Sequence, residues 1–257
     1  MTFLWRSRRT SSEKDEELGL HEEAPVPTQL VENFFVSPYS WNSVLGATLL
    51  GYNTILARLL VEEANPDEMD DLGRTALMFA VRYNRREALR MLINSEANIN
   101  HRDIYGHSAL LVAHMFDNPW AVDTLCSAGA ERELPEAIAS GEVERAERLP
   151  LPPLWKPDVP VWDGQTLLTR CVSLGWFSAC ALLISRGADP NAPDGLGVLP
   201  LDVAATASRG RIVRLLLDWG ADPTRTQTDP TTLYEWAGKD TAEKTETINP
   251  DMRDIIE

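Results

Sequence analysis

The sequence repeats itself every 33 residues, and that period limits the possible folds more than any other feature. In the N-terminal half Ala47, Ala80 and Ala113 share one register, as do Val44, Leu77 and Leu110. Leu59, Leu92 and Leu125 share another, with Ala64, Ala97 and Ala130. A second series runs through the C-terminal half, where Leu168 matches Leu201, Leu183 matches Leu216, Gly187 matches Gly220 and Asp189 matches Asp222. A unit this short cannot bury its apolar face alone; it buries it against the next copy, so the period implies a stack.

The residues of one unit say how it folds. DLGRTAL, at 71–77, supplies a turn in which Gly73 is free to adopt a backbone that other residues avoid. Thr75 is placed to cap a short helix with its hydroxyl. Ala80 is small where neighbouring helices must approach. In EALRMLINS, Ala88, Leu89, Met91 and Leu92 recur at helical spacing and form the apolar face of a second helix. The units close with SEANIN, RGADPN or WGADPT, and Gly187 and Gly220 suit the C-terminal end of that helix.

Taken together these features resemble the ankyrin repeat. Its pattern, D-x-x-G-x-T-P-L-H-x-A followed by a Leu-Leu helix and G-A-D, appears here as DDLGRTALMFA, RDIYGHSALLVA and DGLGVLPLDVA. LISRGADPN and LLLDWGADPT match its close. The motif's histidine is replaced by Met78, Leu111, Thr169 and Asp202, and its proline survives only as Pro200. The resemblance implies an all-α ankyrin-repeat solenoid of stacked helix-turn-helix units joined by hairpin loops. The ankyrin-repeat domain is expected over 26–224, with repeats at about 38–67, 70–100, 103–132, 161–191 and 194–224 and a shortened one at 133–150. Residues 151–160 read as a proline-rich, extended connection, 225–257 as a capping repeat whose last helix starts at Asn249-Pro250, and 1–25 as a disordered acidic and polar tail. QLVENFF, at 29–35, is expected to be a short helix sealing the N-terminal end.

Composition narrows the function. A net charge of −15, from 24 Lys and Arg against 39 Asp and Glu, argues against nucleic acid, whose phosphates need cations. No apolar run approaches the roughly 20 residues of a membrane span. Cys126, Cys171 and Cys180 are an odd, scattered set, which suits free thiols in a reducing compartment, so a cytoplasmic or nuclear location is expected. His101, His107 and His114 lack the spacing of a zinc site, and GLGV at 195–198 reads as a hairpin. No catalytic, cofactor or metal-binding residue stands out. The expectation is a monomer that is not an enzyme and takes no cofactor.

The resemblance implies that hairpin tips and the exposed ends of the first helices form a concave face for a protein or peptide partner. At those positions stand Tyr39, Trp41, Leu72, Arg74, Arg82, Tyr83, Ile104, Tyr105, Met115 and Phe116, with Leu49, Leu50 and His107 beside them. The fourth repeat contributes Trp162, Gln165, Ser173 and Leu174, and the fifth Leu196, Val198, Thr206 and Ala207. An apolar peptide with a few acidic groups to meet Arg74 and Arg82 suits this face. Trp155 is a candidate for a secondary contact. The family is also known for asparaginyl hydroxylation. Asn100, with Leu92 eight residues before it, is a possible site, although the plainer reading is that Asn100 hydrogen-bonds its loop. The expected function is a non-catalytic interaction module acting as scaffold, adaptor or inhibitor. The alternative is an accessory protein of an enzymatic or biosynthetic pathway, without chemistry of its own.

Overall fold

The computed structural model describes residues 43–162 and 164–239. Tyr39, Trp41, the 1–25 tail, the 29–35 helix and the helix expected at Asn249-Pro250 lie outside the described residues. The described residues fall into two compact blocks, divided between Arg132 and Glu133. The first block holds three helix pairs: α1 (Val44–Leu50) with α2 (Asn53–Val61), α3 (Ala76–Arg82) with α4 (Arg86–Asn94), and α5 (Ala109–Met115) with α6 (Pro119–Ser127). The second holds the short pair α7 (Leu134–Ala139) and α8 (Val143–Ala146), then α9 (Leu167–Leu174) with α10 (Phe177–Ser185), α11 (Pro200–Thr206) with α12 (Gly210–Asp218), and a closing helix α13 (Pro230–Lys239). Apart from two isolated bridges, every regular element among the described residues is helical.

Each block is a stack. In the first, α1 packs on α3 and α3 on α5, while α2 packs on α4. In the second, α9 packs on α11, α10 on α12 and α12 on α13. The registered alanines explain the close approach of the first helices, since Ala47, Ala80 and Ala113 are all buried. The registered leucines Leu92 and Leu125, and Leu183 with Leu216, fill the layer between the helices of each pair. Burial of one leucine side chain contributes about 2 kcal/mol, and the period distributes that gain evenly along the stack.

Serine and threonine hydroxyls cap several first helices. Ser43 accepts from the Gly46 amide at 3.0 Å, Ser108 from Leu111 at 3.0 Å and Thr166 from Thr169 at 3.1 Å. Thr75 departs from the expectation. It holds the extended N-cap backbone, yet its hydroxyl makes no cap bond and is buried without a hydrogen-bond partner. Only its carbonyl serves the helix, accepting from the Phe79 amide at 3.2 Å.

The turns repeat a backbone rather than a residue. Left-handed conformations join first to second helices at Gly51, Asn84 and Asp117, and again at Gly175 and Ser208. They follow the second helices at Glu63, Glu96 and Gly129, and again at Gly187 and Gly220. Glu63 and Glu96 hold φ of 60° and 62°, where a side chain is strained and glycine is not. Glu96→Gly is therefore expected to raise stability by about 0.5 kcal/mol, once the greater freedom of glycine in the unfolded chain is subtracted. A higher urea midpoint with an unchanged slope is the measurement that checks it.

The 133–160 region is more ordered than a bare connection. Trp155 is buried, so it is a packing residue and not a surface contact. At the end of the proline-rich run, Asp158 Oδ1 accepts the Asp189 amide at 2.8 Å. Equivalent bonds run from Asn98 N–H to Asp67 at 2.7 Å, from Glu131 N–H to Asn100 at 2.8 Å, and from Asp222 N–H to Asn191 at 2.7 Å. The Lys-Pro-Asp at 156–158 thus supplies the loop that closes the shortened repeat, as Asp-Pro-Asn at 189–191 closes the next.

Candidate partner-binding face

Three hairpin tips are built on a buried aspartate. Asp70 Oδ1 accepts the amides of Leu72 at 3.0 Å and Arg74 at 2.7 Å. Asp103 does the same for Tyr105 at 2.9 Å and His107 at 2.8 Å, and Asp194 for Leu196 and Val198, both at 2.9 Å. Two carboxylates carry a further donor: Arg74 Nε lies 2.6 Å from Asp70, and His107 Nδ1 lies 3.1 Å from Asp103. Burial works to raise the Asp103 carboxyl pKa. The hydrogen bond and charge of His107, with the His107 and Tyr105 amides, outweigh that and hold it below the ordinary value. In the second block Val161 occupies the aspartate position, and Trp162 there takes a left-handed backbone.

Adjacent tips are bonded side by side. The Ile104 amide donates to the Leu72 carbonyl at 3.0 Å, and His101 Nε2 lies 2.8 Å from the Gly73 carbonyl. In the second block the Gly195 amide donates to the Gly164 carbonyl at 2.8 Å. The first-block tips therefore hold Leu72 and Ile104 next to each other, with Ile104 48% exposed. Met69, at the start of one tip, is 49% exposed as well. Sequence reasoning passed over it because it precedes the motif's aspartate.

At the other end of the first helices, Arg82, Tyr83 and Phe116 come together. The Arg82 guanidinium lies 4.0 Å from the centre of the Phe116 ring and 5.3 Å from that of Tyr83. Tyr83 in turn stacks on Phe79 with centroids 6.4 Å apart. Several sequence-derived positions are not available to a partner. Met115 is only 7% exposed, and Leu49 and His107 are buried as well. Arg74 is held by Asp70, so its charge is already matched. In the second block Leu196, 82% exposed, and Val198 stand near a hollow of about 310 Å³ lined by Ser173, Asp202, Val203, Thr206 and Ala207.

The stacked helix pairs and aspartate-based tips agree with the comparison with known families. A family model described as ankyrin repeats (3 copies) matches residues 45–135, and one described as ankyrin repeats (many copies) matches residues 168–217. The chain belongs to the ankyrin repeat family. The curated proteins contain no match to it. Ankyrin repeats are generally protein–protein interaction modules and are typically non-catalytic. The stretch between the two matches holds α8 and the proline-rich loop, where the 33-residue register is broken.

This ankyrin chain offers few reactive groups. Among the described residues no group of three His, Cys, Asp or Glu side chains is placed to hold a metal ion, and no helix is long and apolar enough to cross a membrane. Burial pushes the Cys180 thiol up to about 12, and burial together with neighbouring Cys180 pushes Cys171 well above its ordinary value. Both thiols are protonated at neutral pH and so are weak nucleophiles. Asn100 has structural work: its Oδ1 accepts the Glu131 amide and its Nδ2 donates to the Gly129 carbonyl at 3.3 Å.

Proposed function

We propose that the protein is a non-catalytic interaction module, a scaffold, adaptor or inhibitor, that binds a protein or peptide partner across the first-block face. Leu72, Arg82, Tyr83, Ile104, Tyr105 and Phe116 form that face. The observation that carries the reading is the set of apolar and aromatic side chains left partly exposed at both ends of the first helices. Contiguous apolar surface marks interfaces, and Tyr and Arg are among the residues that dominate binding energy. A monomeric protein of the cytoplasm or nucleus fits the acidic charge and the buried free thiols.

Affinity capture from the native source, followed by mass spectrometry, tests the reading. A variant carrying Tyr83→Ala, Tyr105→Ala and Phe116→Ala is expected to lose its partner while keeping its helical circular dichroism. A partner list unchanged in the folded variant moves the interface elsewhere, and the absence of any partner favours an accessory role in an enzymatic pathway. Asn100 is the position at which hydroxylation is proposed, and a mass increase of one oxygen on its peptide is the readout.

A further inference from the structure

We propose that Arg82 is the anion anchor of this face: its guanidinium receives the carboxylate of an Asp or Glu side chain on the bound partner. The proposal rests on the interface reading above and adds the chemistry of what docks there.

Arg82 ends α3, where its guanidinium carbon lies 4.0 Å from the centre of the Phe116 ring of the next repeat. Ring contacts of this kind use the faces of the guanidinium. They leave its in-plane N–H donors to be satisfied by something else. Among the described residues Arg82 has no ion pair and no hydrogen bond; its Nε is sealed from solvent, so the donors open to a partner are those of the two Nη groups. Several other arginines of the first block are supplied from within the fold. Arg74 meets Asp70 at 2.6 Å, Arg90 meets Glu87 at 2.6 Å, and Arg58 lies 4.0 Å from Glu62.

The site also has the geometry of a clamp. The Phe116 and Tyr83 rings beside the guanidinium restrict its freedom before anything binds. A planar guanidinium matches a carboxylate through two parallel hydrogen bonds, which Lys cannot reproduce. The partly exposed Tyr83 and Phe116 flank the charge, so the residue next to the partner's carboxylate is expected to be apolar. A guanidinium that only braced two repeats would affect stability but impose no charge preference on a ligand.

Display of random dodecamer peptides against the full chain tests this. The wild-type protein is expected to select Asp or Glu beside an aliphatic or aromatic residue. A synthetic peptide from that pool should bind Arg82→Gln about tenfold or more weakly, in line with losing a charged hydrogen bond. Arg82→Lys should fall between the two, and Arg82→Glu should select Lys or Arg at the same peptide position. Urea midpoints of each variant separate the loss of the ring contact from the loss of the anchor. Peptides that depend on Tyr83 and Phe116 but show no acidic preference, or bind the folded Arg82→Gln variant equally well, would overturn the anchor and leave the face intact. Peptides indifferent to all three residues, or no selected peptide at all, would overturn both.

Discussion

Replacing Asp103 with alanine is expected to lower the unfolding free energy by about 3 kcal/mol, read from urea denaturation at neutral pH. The carboxylate is 2% exposed and satisfies the amides of Tyr105 and His107 together with the His107 ring. Removing it strands two backbone donors in a buried turn, and each such donor costs about 1–3 kcal/mol. Asp194→Ala is the control, because Asp194 holds the corresponding two amides and, among the described residues, no ring or cation shares it. Its loss should be smaller. The pH dependence follows from the depressed pKa. A carboxyl held below its ordinary value contributes stability above the unfolded value of about 3.9 and loses it as pH falls through the folded value. The gap between wild type and Asp103→Ala should therefore narrow in acid below pH about 4. A gap that stays constant down to pH about 2 would show that the carboxylate's charge is not what the turn uses.

The second large effect is expected at Gly51. It holds φ of +78°, and a Cβ there would sit 2.9 Å from the Arg85 guanidinium carbon. Arg85 is only 7% exposed, so it has little room to withdraw. Gly51→Ala should cost about 3 kcal/mol, combining left-handed strain of about 1–2 kcal/mol with displacement of that side chain. Gly175 repeats the geometry in the second block, where a Cβ would lie 2.8 Å from the Arg209 guanidinium carbon. Arg209 is exposed and free to swing away, so Gly175→Ala should cost little more than the strain. Gly187→Ala, with φ of +98° and nothing within 4 Å, gives the strain by itself. Equal losses at all three positions, measured by urea titration, would show that the arginine contacts do not matter.

These positions also show what a sequence makes legible. Most of the core could be read directly, because a stack buries the same register from copy to copy, as at Ala47, Ala80 and Ala113; Leu59, Ala64 and Ala130 depart from this and are only partly buried. The tip aspartates were visible as letters of a motif, but their bonds were not. Nothing in DLGRTAL says that Arg74 reaches back to Asp70, so that its charge is matched within the fold. Met115 and Phe116 are adjacent and both apolar. Which one is buried depends on where a seven-residue helix ends against its neighbour. The left-handed turns were half visible. Gly187 and Gly220 announce them, whereas Glu63 and Glu96 adopt the same backbone with a residue that gives no sign of it. Asp158 was hidden by the prolines around it, although the X-Pro-Asp or X-Pro-Asn signature at 65–67, 156–158 and 189–191 could have found it.

The loop-to-loop bonds carry a consequence for how a gene of this kind can change length. Each bond from Asp67, Asn100, Asp158 and Asn191 reaches forward 31 residues. An insertion or deletion inside any of those spans would leave an acceptor facing the wrong amide. Between Glu131 and Asp158 no such span runs among the described residues, and there the spacing has already departed from the period. Length variation is thus admitted at the seam and penalised elsewhere, so related chains should gain or lose residues at that seam, or gain and lose whole repeats.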